Sequence, residues 1–327
     1  MPTKYKYPLL AKPSGITLEQ HKLDVMQEGR ALCQSQFLID KYKLFTNKDL
    51  GKRLLLVCEY HDWGKRNEQW QSACQKDYES FLANQDQYQG ENLLTTGVRH
   101  EAFSAAQALR LRMPLALVAA IAAHHAKLNM ANQERWQRNL ETKDVWTALK
   151  KESWKEYSLE EIARHIYEYS SLRSLLQFAD HRASAREEGE FVPDLHSFKY
   201  TFPHSILRPV QKLIAENWSA DLLLLRAPTG AGKTDASLLW AKFQIENMRA
   251  DRLVIAMPTR FTSNALAINV SESLSETGLY HSSAWNVKKS SFCSDDVQSL
   301  LCAKKEHELA RRLSTPVTVC TLSLIHI

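Results

Sequence analysis

Histidines and carboxylates that can ligate a metal are spread over five segments of the N-terminal half: His21, the adjacent pair His61–Asp62, His100, the doublet His124–His125, and Asp180. Imidazole nitrogen and carboxylate oxygen together suit borderline divalent ions such as manganese, iron, nickel or cobalt, and one carboxylate can bridge two such ions. The pair opens the stretch HDWGK (61–65), directly after the apolar run KRLLLVCEY. A helix ending there needs a cap, which Asp or Gly alone would supply. Neither need calls for His61 and Asp62 side by side. The doublet His124–His125 follows the apolar segment LALVAAIAA, where two buried neutral imidazoles without partners would be costly. His165, in ARHIYEY, has no matching partner and reads as a helix-flank residue, and His181 could stand behind Asp180 as an outer neighbour.

A second chemistry lies in APTGAGKT (227–234). The phosphate-loop pattern G-x-x-x-x-G-K-[ST] asks for glycine at 227, where this chain has alanine; the remainder fits. Thr229, Gly230, Ala231 and Gly232 form a small-residue loop whose backbone N–H groups can wrap phosphates. Lys233 would reach the terminal phosphates of ATP and Thr234 would hold its magnesium ion.

The elements that must position these groups follow two grammars. From residue 17 to about 188 apolar residues recur at helical spacing, with Thr17 and Gln20 forming a capping box and further helices expected over 51–61, 101–111, 114–127 and 159–187. GEFVPDLHSFKYTFPHS (189–205) has two prolines, a glycine and no helical period, and reads as a linker. Beyond it, DLLLLRAP (221–228), RLVIAMP (252–258) and PVTVCTL (316–322) read as strands, with a helix over 233–248 between the first two. Strand, loop, helix, strand is a parallel α/β unit.

A length of 327 residues suits two domains: 1–188 helical, 189–205 linker, 206–327 α/β. Hydrophobic residues at 44% and charged residues at 24% fit a globular protein, and the longest apolar stretch (115–123) is too short to span a bilayer. The N-terminus lacks signal-peptide architecture and the six cysteines form no CxxC pair, so a cytoplasmic protein with reduced thiols and no membrane partner is expected. A formal charge of +5 permits nucleic-acid binding without requiring it.

The order His, His-Asp, His, His-His, Asp is similar to the HD phosphohydrolase superfamily. HDWGK, RHEAFS (99–104), AHH (123–125) and ADHRAS (179–184) resemble the HD nuclease domain of the CRISPR-associated nuclease-helicase of type I systems, the Cas three family. That resemblance implies one metal held by His21, His61, Asp62 and Asp180, with Asp62 bridging to a second held by His100, His124 and His125. It also implies catalysis centred on Asp62, with Lys65 as an electrostatic aid near the phosphate. APTG resembles motif I of superfamily 2 helicases, RPVQ (208–211) their upstream Q motif, with Gln211 as adenine reader, and AMPTR (256–260) their motif Ia on the nucleic-acid backbone. The implied fold is an α-helical HD domain followed by a partial α/β RecA-like domain.

The resemblance further implies action on single-stranded DNA in antiviral defence, in partnership with a crRNA-guided surveillance complex. It departs after residue 321: no DExH motif occurs, TPVTVCT runs into LSLIHI, and residues 206–327 are too few for a complete lobe. A truncated gene product, with ATP binding but no motor activity, is the expectation. Two other functions fit parts of the pattern: an HD-type nucleotide phosphohydrolase, and an ATP-binding regulatory protein with an inactive HD site.

Overall fold

The computed structural model describes residues 5–84, 90–126, 139–150, 157–190, 198–271, 273–274, 277–284, 309–311 and 315–322, with single positions 128, 134, 136, 192 and 307. The chain divides into two compact units, Met1–Val192 and Pro193–Ile327.

The first unit is helical: α1 (Leu18–Leu32), α2 (Gln36–Thr46), α3 (Leu50–Tyr60), a 3-10 turn (Trp63–Arg66), α4 (Glu68–Ala83), α5 (Glu91–Thr95), α6 (His100–Arg110), α7 (Leu115–Ala122), α8 (Lys143–Lys150) and the long α9 (Leu159–Glu187). Side chains at the helix starts settle orphan backbone donors. Thr17 accepts from the Gln20 N–H at 3.1 Å and Asp49 from the Lys52 N–H at 2.9 Å, while Ser158 and Glu161 close a reciprocal capping box on α9. The core forms where α1, α3, α7 and α9 meet. Leu18, Val25 and Leu32 of α1, Leu54 and Val57 of α3, and Leu172, Leu176, Ala179 and Ala183 of α9 are buried at three- and four-residue steps. Each large aliphatic side chain so buried contributes about 1.5–3 kcal/mol. Helix α7 is apolar almost all round because it is enclosed, with Val118, Ala120 and Ile121 fully buried. It stops at Ala122, five residues before the expected end, because the chain turns at Ala123 (φ −107°, ψ 9°) and leads His124 and His125 out of the helix.

The second unit holds α10 (Pro209–Glu216), α11 (Lys233–Glu246), β1 (Leu253–Met257), α12 (Arg260–Ser271), β2 (Thr277–Tyr280) and β3 (Val317–Thr321). The strands form a parallel sheet in the order β1-β3-β2, with Leu253 and Thr277 both in register with Val317. Central β3 is buried along its whole length, as a near-continuous apolar strand between two parallel neighbours should be. Tyr200 from the segment read as a linker packs with Leu238, Leu239, Val270, Leu274 and Val317, so that this end of the segment belongs to the second unit's core.

One expected strand is absent. Residues 221–228 are irregular, with Leu222 76% and Leu224 92% exposed, and they join no strand among the described residues. An apolar run is strand-like only if a neighbour takes up its backbone donors and acceptors, and composition alone does not supply that neighbour. Conversely β2, TGLY, forms a strand although its glycine and short length carry no strand signal. Cys33, Cys58, Cys74 and Cys320 are free thiols, and no helix among the described residues is long and apolar enough to cross a membrane. The closing residues 323–327 lie outside the described ones.

Candidate metal centre

The capping question raised by HDWGK has a geometric answer. His61 is the C-cap of α3, and one side of its ring serves that end: Nδ1–H donates back to the last-turn carbonyl of Cys58 at 2.8 Å, which leaves Nε2 to face the site. Asp62 stands at the N-cap of the 3-10 turn with no side-chain cap bond, which leaves its carboxylate for other partners. That carboxylate is the centre of the site. Oδ2 lies 3.2 Å from His21 Nε2, 3.5 Å from His61 Nε2 and 2.6 Å from Lys65 Nζ. Oδ1 lies 3.2 Å from His100 Nε2 and 3.8 Å from His124 Nε2.

The remaining predicted ligands close in around it. Asp180 Oδ1 is 3.3 Å from His21 Nε2, and His125 Nε2 is 2.8 Å from His100 Nε2. Two sets of donor atoms result, each gathered within 4.8 Å: His21, His61 and Asp62, and Asp62, His100, His124 and His125. Asp62 belongs to both. Asp180 joins the first through His21.

The donor set fits divalent cations by a feature of the side chains themselves. His61 and His124 are fully enclosed, each fixes its Nδ1–H on a backbone carbonyl (Cys58 O at 2.8 Å and Ile121 O at 2.6 Å), and each Nε2 is left buried with no hydrogen-bond partner. A buried lone pair without a donor is costly unless a ligand meets it. Pinning the outer nitrogen also sets the tautomer and ring direction, as in protein metal sites generally.

Protonation follows the same logic. Burial pushes His61 down to about 4 and lowers His100, and desolvation in the crowded site together with neighbouring His124 and His100 lowers His125, although that residue is open to solvent. These imidazoles are therefore neutral at pH 7, the form a metal requires. His21 goes the other way, to about 10: burial opposes its charge but hydrogen bonds to Asp180, Asp62 and Glu187 outweigh burial. Despite burial, Asp62 is held well below the carboxylate range by Lys65 and the surrounding imidazoles, so its carboxylate is ionised at pH 7.

The supporting frame brings in residues whose roles were not read from the sequence. Gly64 N–H donates to Ser104 Oγ at 2.8 Å, and a Cβ on Gly64 would meet the His100 carbonyl oxygen at 2.0 Å, so only glycine lets the turn touch α6 at His100. Lys65, expected near a phosphate, is instead 8% exposed, with Nζ on Asp62 and on the Ala11 carbonyl at 3.1 Å. Its ammonium is already engaged by the carboxylate it neighbours. Gln71, fully buried, takes the Leu10 N–H and donates to the Leu10 and Lys65 carbonyls, fastening the N-terminal segment beside the site. The carbonyls of Ala123 and His124 accept from Arg173 and Gln177 of α9, which holds the doublet after α7 has ended. Glu187 meets His21 Nδ1 at 2.8 Å. It lies two helical turns beyond Asp180 on α9, and that seven-residue spacing was the available signal. His165 meets Tyr157 edge to face and His181 is exposed.

In the second unit the phosphate-loop residues sit between the irregular run and α11. Gly230 (φ 81°) and Gly232 (φ 86°) adopt left-handed backbone, which suits glycine. Lys233 Nζ donates to the Ala227 and Pro228 carbonyls at 2.8 and 3.1 Å, and Thr229 and Thr234 are exposed at the loop's two ends. Ala231 lies between the two glycines, with its N–H donating to the Pro228 carbonyl at 3.3 Å. Gln211 is fully buried, accepts from the Arg208 N–H at 2.8 Å and reaches the Gly232 carbonyl at 3.4 Å. A Cβ on Gly232 would meet its amide at 2.6 Å.

A helical unit with Asp62 shared by two clusters of imidazoles and a second carboxylate is an HD-type fold and site. The family model for the HD domain of Cas3 matches residues 10–188, and the chain belongs to that family. A Methanocaldococcus jannaschii protein, whose description as a CRISPR-associated nuclease/helicase Cas3 is itself provisional, is 30% identical over 102 residues, covering 31% of this chain and 14% of its own. The crystal structure of T. fusca Cas3 superimposes with a TM-score of 0.53 at 18% identity over 95% of this chain and 42% of that one. Its ATP-bound form gives 0.50 at 17% identity over 94% and 42%. The chain thus spans less than half the length of these relatives.

Proposed function

We propose that the first unit is a metal-dependent nuclease acting on single-stranded DNA, and that the chain serves type I CRISPR interference in partnership with a crRNA-guided surveillance complex. The observation that carries the reading is Asp62, whose two oxygens face two separate imidazole clusters. His21, His61, Asp62 and Asp180 would hold one divalent ion, and Asp62, His100, His124 and His125 a second, with manganese, iron, nickel or cobalt suited to the donors. When bound, such ions supply an activated water and meet the charge that develops on a phosphodiester. The chain's own part is preorganisation. Carbonyl-bound Nδ1–H groups hold His61 and His124 in their ligating tautomer, and Lys65 keeps Asp62 ionised and fixed in direction. In the second unit Thr229, Gly230, Ala231, Gly232, Lys233 and Thr234 would receive the phosphates of ATP with magnesium, and Gln211 the adenine.

The test is a labelled single strand offered to the purified chain with manganese, nickel or cobalt, with and without EDTA. Metal-dependent cleavage is expected, abolished in Asp62→Ala and unchanged in His165→Ala. Rapid hydrolysis of dNTPs with intact DNA would favour a nucleotide phosphohydrolase, and no hydrolysis of either would favour an ATP-binding protein with an inactive HD site.

A further inference from the structure

Three buried histidines point Nε2 at the Asp62 carboxylate from an enclosed position, yet they are supported from behind in two different ways. His61 and His124 donate Nδ1–H to neutral backbone carbonyls of their own chain segment, at 2.8 and 2.6 Å. His21 instead faces a carboxylate: Nδ1 is 2.8 Å from Glu187 Oε1, and Glu187 Oε2 is 2.9 Å from Lys12 Nζ. All three groups are sheltered, with side-chain exposures of 1% for His21, 4% for Glu187 and 18% for Lys12. The relay links the N-terminal segment, α9 and α1, elements that are far apart in sequence.

A buried carboxylate is expensive unless paired, and here both oxygens have a cationic or N–H partner. Its effect on the ring is electronic as well as geometric. An imidazole whose outer N–H is held by a carboxylate is a better donor through its other nitrogen than one held by a carbonyl, and such outer partners are worth roughly 10- to 100-fold in metal affinity. At hydrogen-bond distance the arrangement occurs, among the described residues, on one side of Asp62 only. On the other side the Glu101 carboxylate comes no nearer than 3.9 Å to His100 Nδ1, His100 and His125 approach each other through Nε2, and His124 Nδ1 is held by the Ile121 carbonyl.

We infer that Lys12–Glu187–His21 is an outer relay that sets the affinity of the metal position on the His21 side, making Glu187 a positioning residue and the two positions unequal. This rests on the metal-centre reading above. Glu187 touches neither substrate nor ion; it acts through His21. Lys12 keeps Glu187 directed at the ring and brings the N-terminal segment into the same network, which Lys65 and Gln71 also fasten at Ala11 and Leu10.

The experiment is stepwise cobalt titration of the metal-free full chain, followed by the visible absorption of the bound ion and by calorimetry, for wild type, Glu187→Gln, Glu187→Ala and Lys12→Met. Wild type should take up two ions in two resolvable steps. Glu187→Gln, which keeps an acceptor but loses the charge, should weaken one step by about 10-fold or more and leave the other unchanged. Glu187→Ala should weaken the same step further, and Lys12→Met, at the more accessible end of the relay, should weaken it less. The weakened step should be the one lost in His21→Ala and kept in His125→Ala. Thermal melts of the metal-free proteins separate this from a structural role: Glu187→Gln should melt with wild type. Unchanged affinities in both glutamate variants, equal weakening of both steps, or loss of affinity only in proportion to a fall in melting temperature would overturn the relay and leave the metal centre intact. A wild type that takes up no cobalt would overturn both.

Discussion

Gly64→Ala tests the packing that brings His100 to Asp62. The added Cβ would lie 2.0 Å from the His100 carbonyl oxygen, 2.8 Å from Phe103 Cβ and 2.8 Å from the Ser104 nitrogen, and two of these three are backbone atoms. To restore ordinary contact at 3.4 Å the turn and the start of α6 must part by about 1.4 Å. That separation also lengthens the 2.8 Å Gly64 N–H to Ser104 Oγ bond and draws His100 Nε2 away from its 3.2 Å approach to Asp62. Overpacking of this kind costs about 1–3 kcal/mol and a lost buried hydrogen bond about 0.5–1.5, so a destabilisation of roughly 2–4 kcal/mol is expected. For a unit of this size that corresponds to a fall of about 5–15 °C in melting temperature. Thermal melts of the full chain, with hydrogen exchange of peptides from α3 and α6 to locate the loss, provide the assay. Cobalt uptake on the His100 side should weaken in parallel. Gly51→Ala is the control: its Cβ meets only Asp49 Oδ1 at 3.4 Å and Cys33 Sγ at 3.9 Å, and the change should be neutral or stabilise by less than about 1 kcal/mol. A Gly64→Ala protein with wild-type melting and wild-type cobalt uptake would refute the packing argument.

Other expectations follow from charge and from the phosphate loop. In metal-free protein, burial lowers the pKa of His61, so its contribution is present above about 6.5 and is lost as pH falls through about 4. His21 is raised, so its contribution is full below about 6.5 and is lost as pH rises through about 10. Together these groups place maximum stability of the EDTA-treated chain near pH 6.5, and a denaturant series across pH 4–10 that rises steadily in either direction would contradict this. Lys233→Ala should weaken ATP binding at least 10-fold, read by equilibrium titration with a fluorescent analogue, while DNA cleavage by the first unit stays at wild-type rate; equal ATP affinity in the two proteins would remove the phosphate-loop role.

Much of the site was legible because ligand chemistry resides in residue type. His61–Asp62 and His124–His125 stand out as adjacent pairs beside apolar runs, and the order of motifs connects them to His21, His100 and Asp180. Their convergence on one carboxylate is tertiary, however, and local periodicity does not contain it. What supports the ligands was harder to read. Gly64 looks like a turn glycine until its distance to His100 is known, and Lys65, expected as an electrostatic aid near a phosphate, is found on Asp62. Glu187 is one of three acids in REEGE, and only its two-turn offset from Asp180 sets it apart. In the second unit β1 and β3 were legible as apolar runs, but DLLLLR reads as strongly and forms no strand. Strand formation depends on a pairing neighbour, and a single run says nothing about whether one is present.

The central claim, two metal positions sharing Asp62, is tested most directly by anomalous diffraction from crystals of the full chain grown with cobalt or manganese. The expected result is two anomalous peaks per chain on either side of the Asp62 carboxylate, one next to His21, His61 and Asp180 and the other next to His100, His124 and His125. In Asp62→Ala crystals at least one peak should vanish. A single peak that does not involve Asp62, or two that persist unchanged without its carboxylate, would contradict a shared two-metal centre.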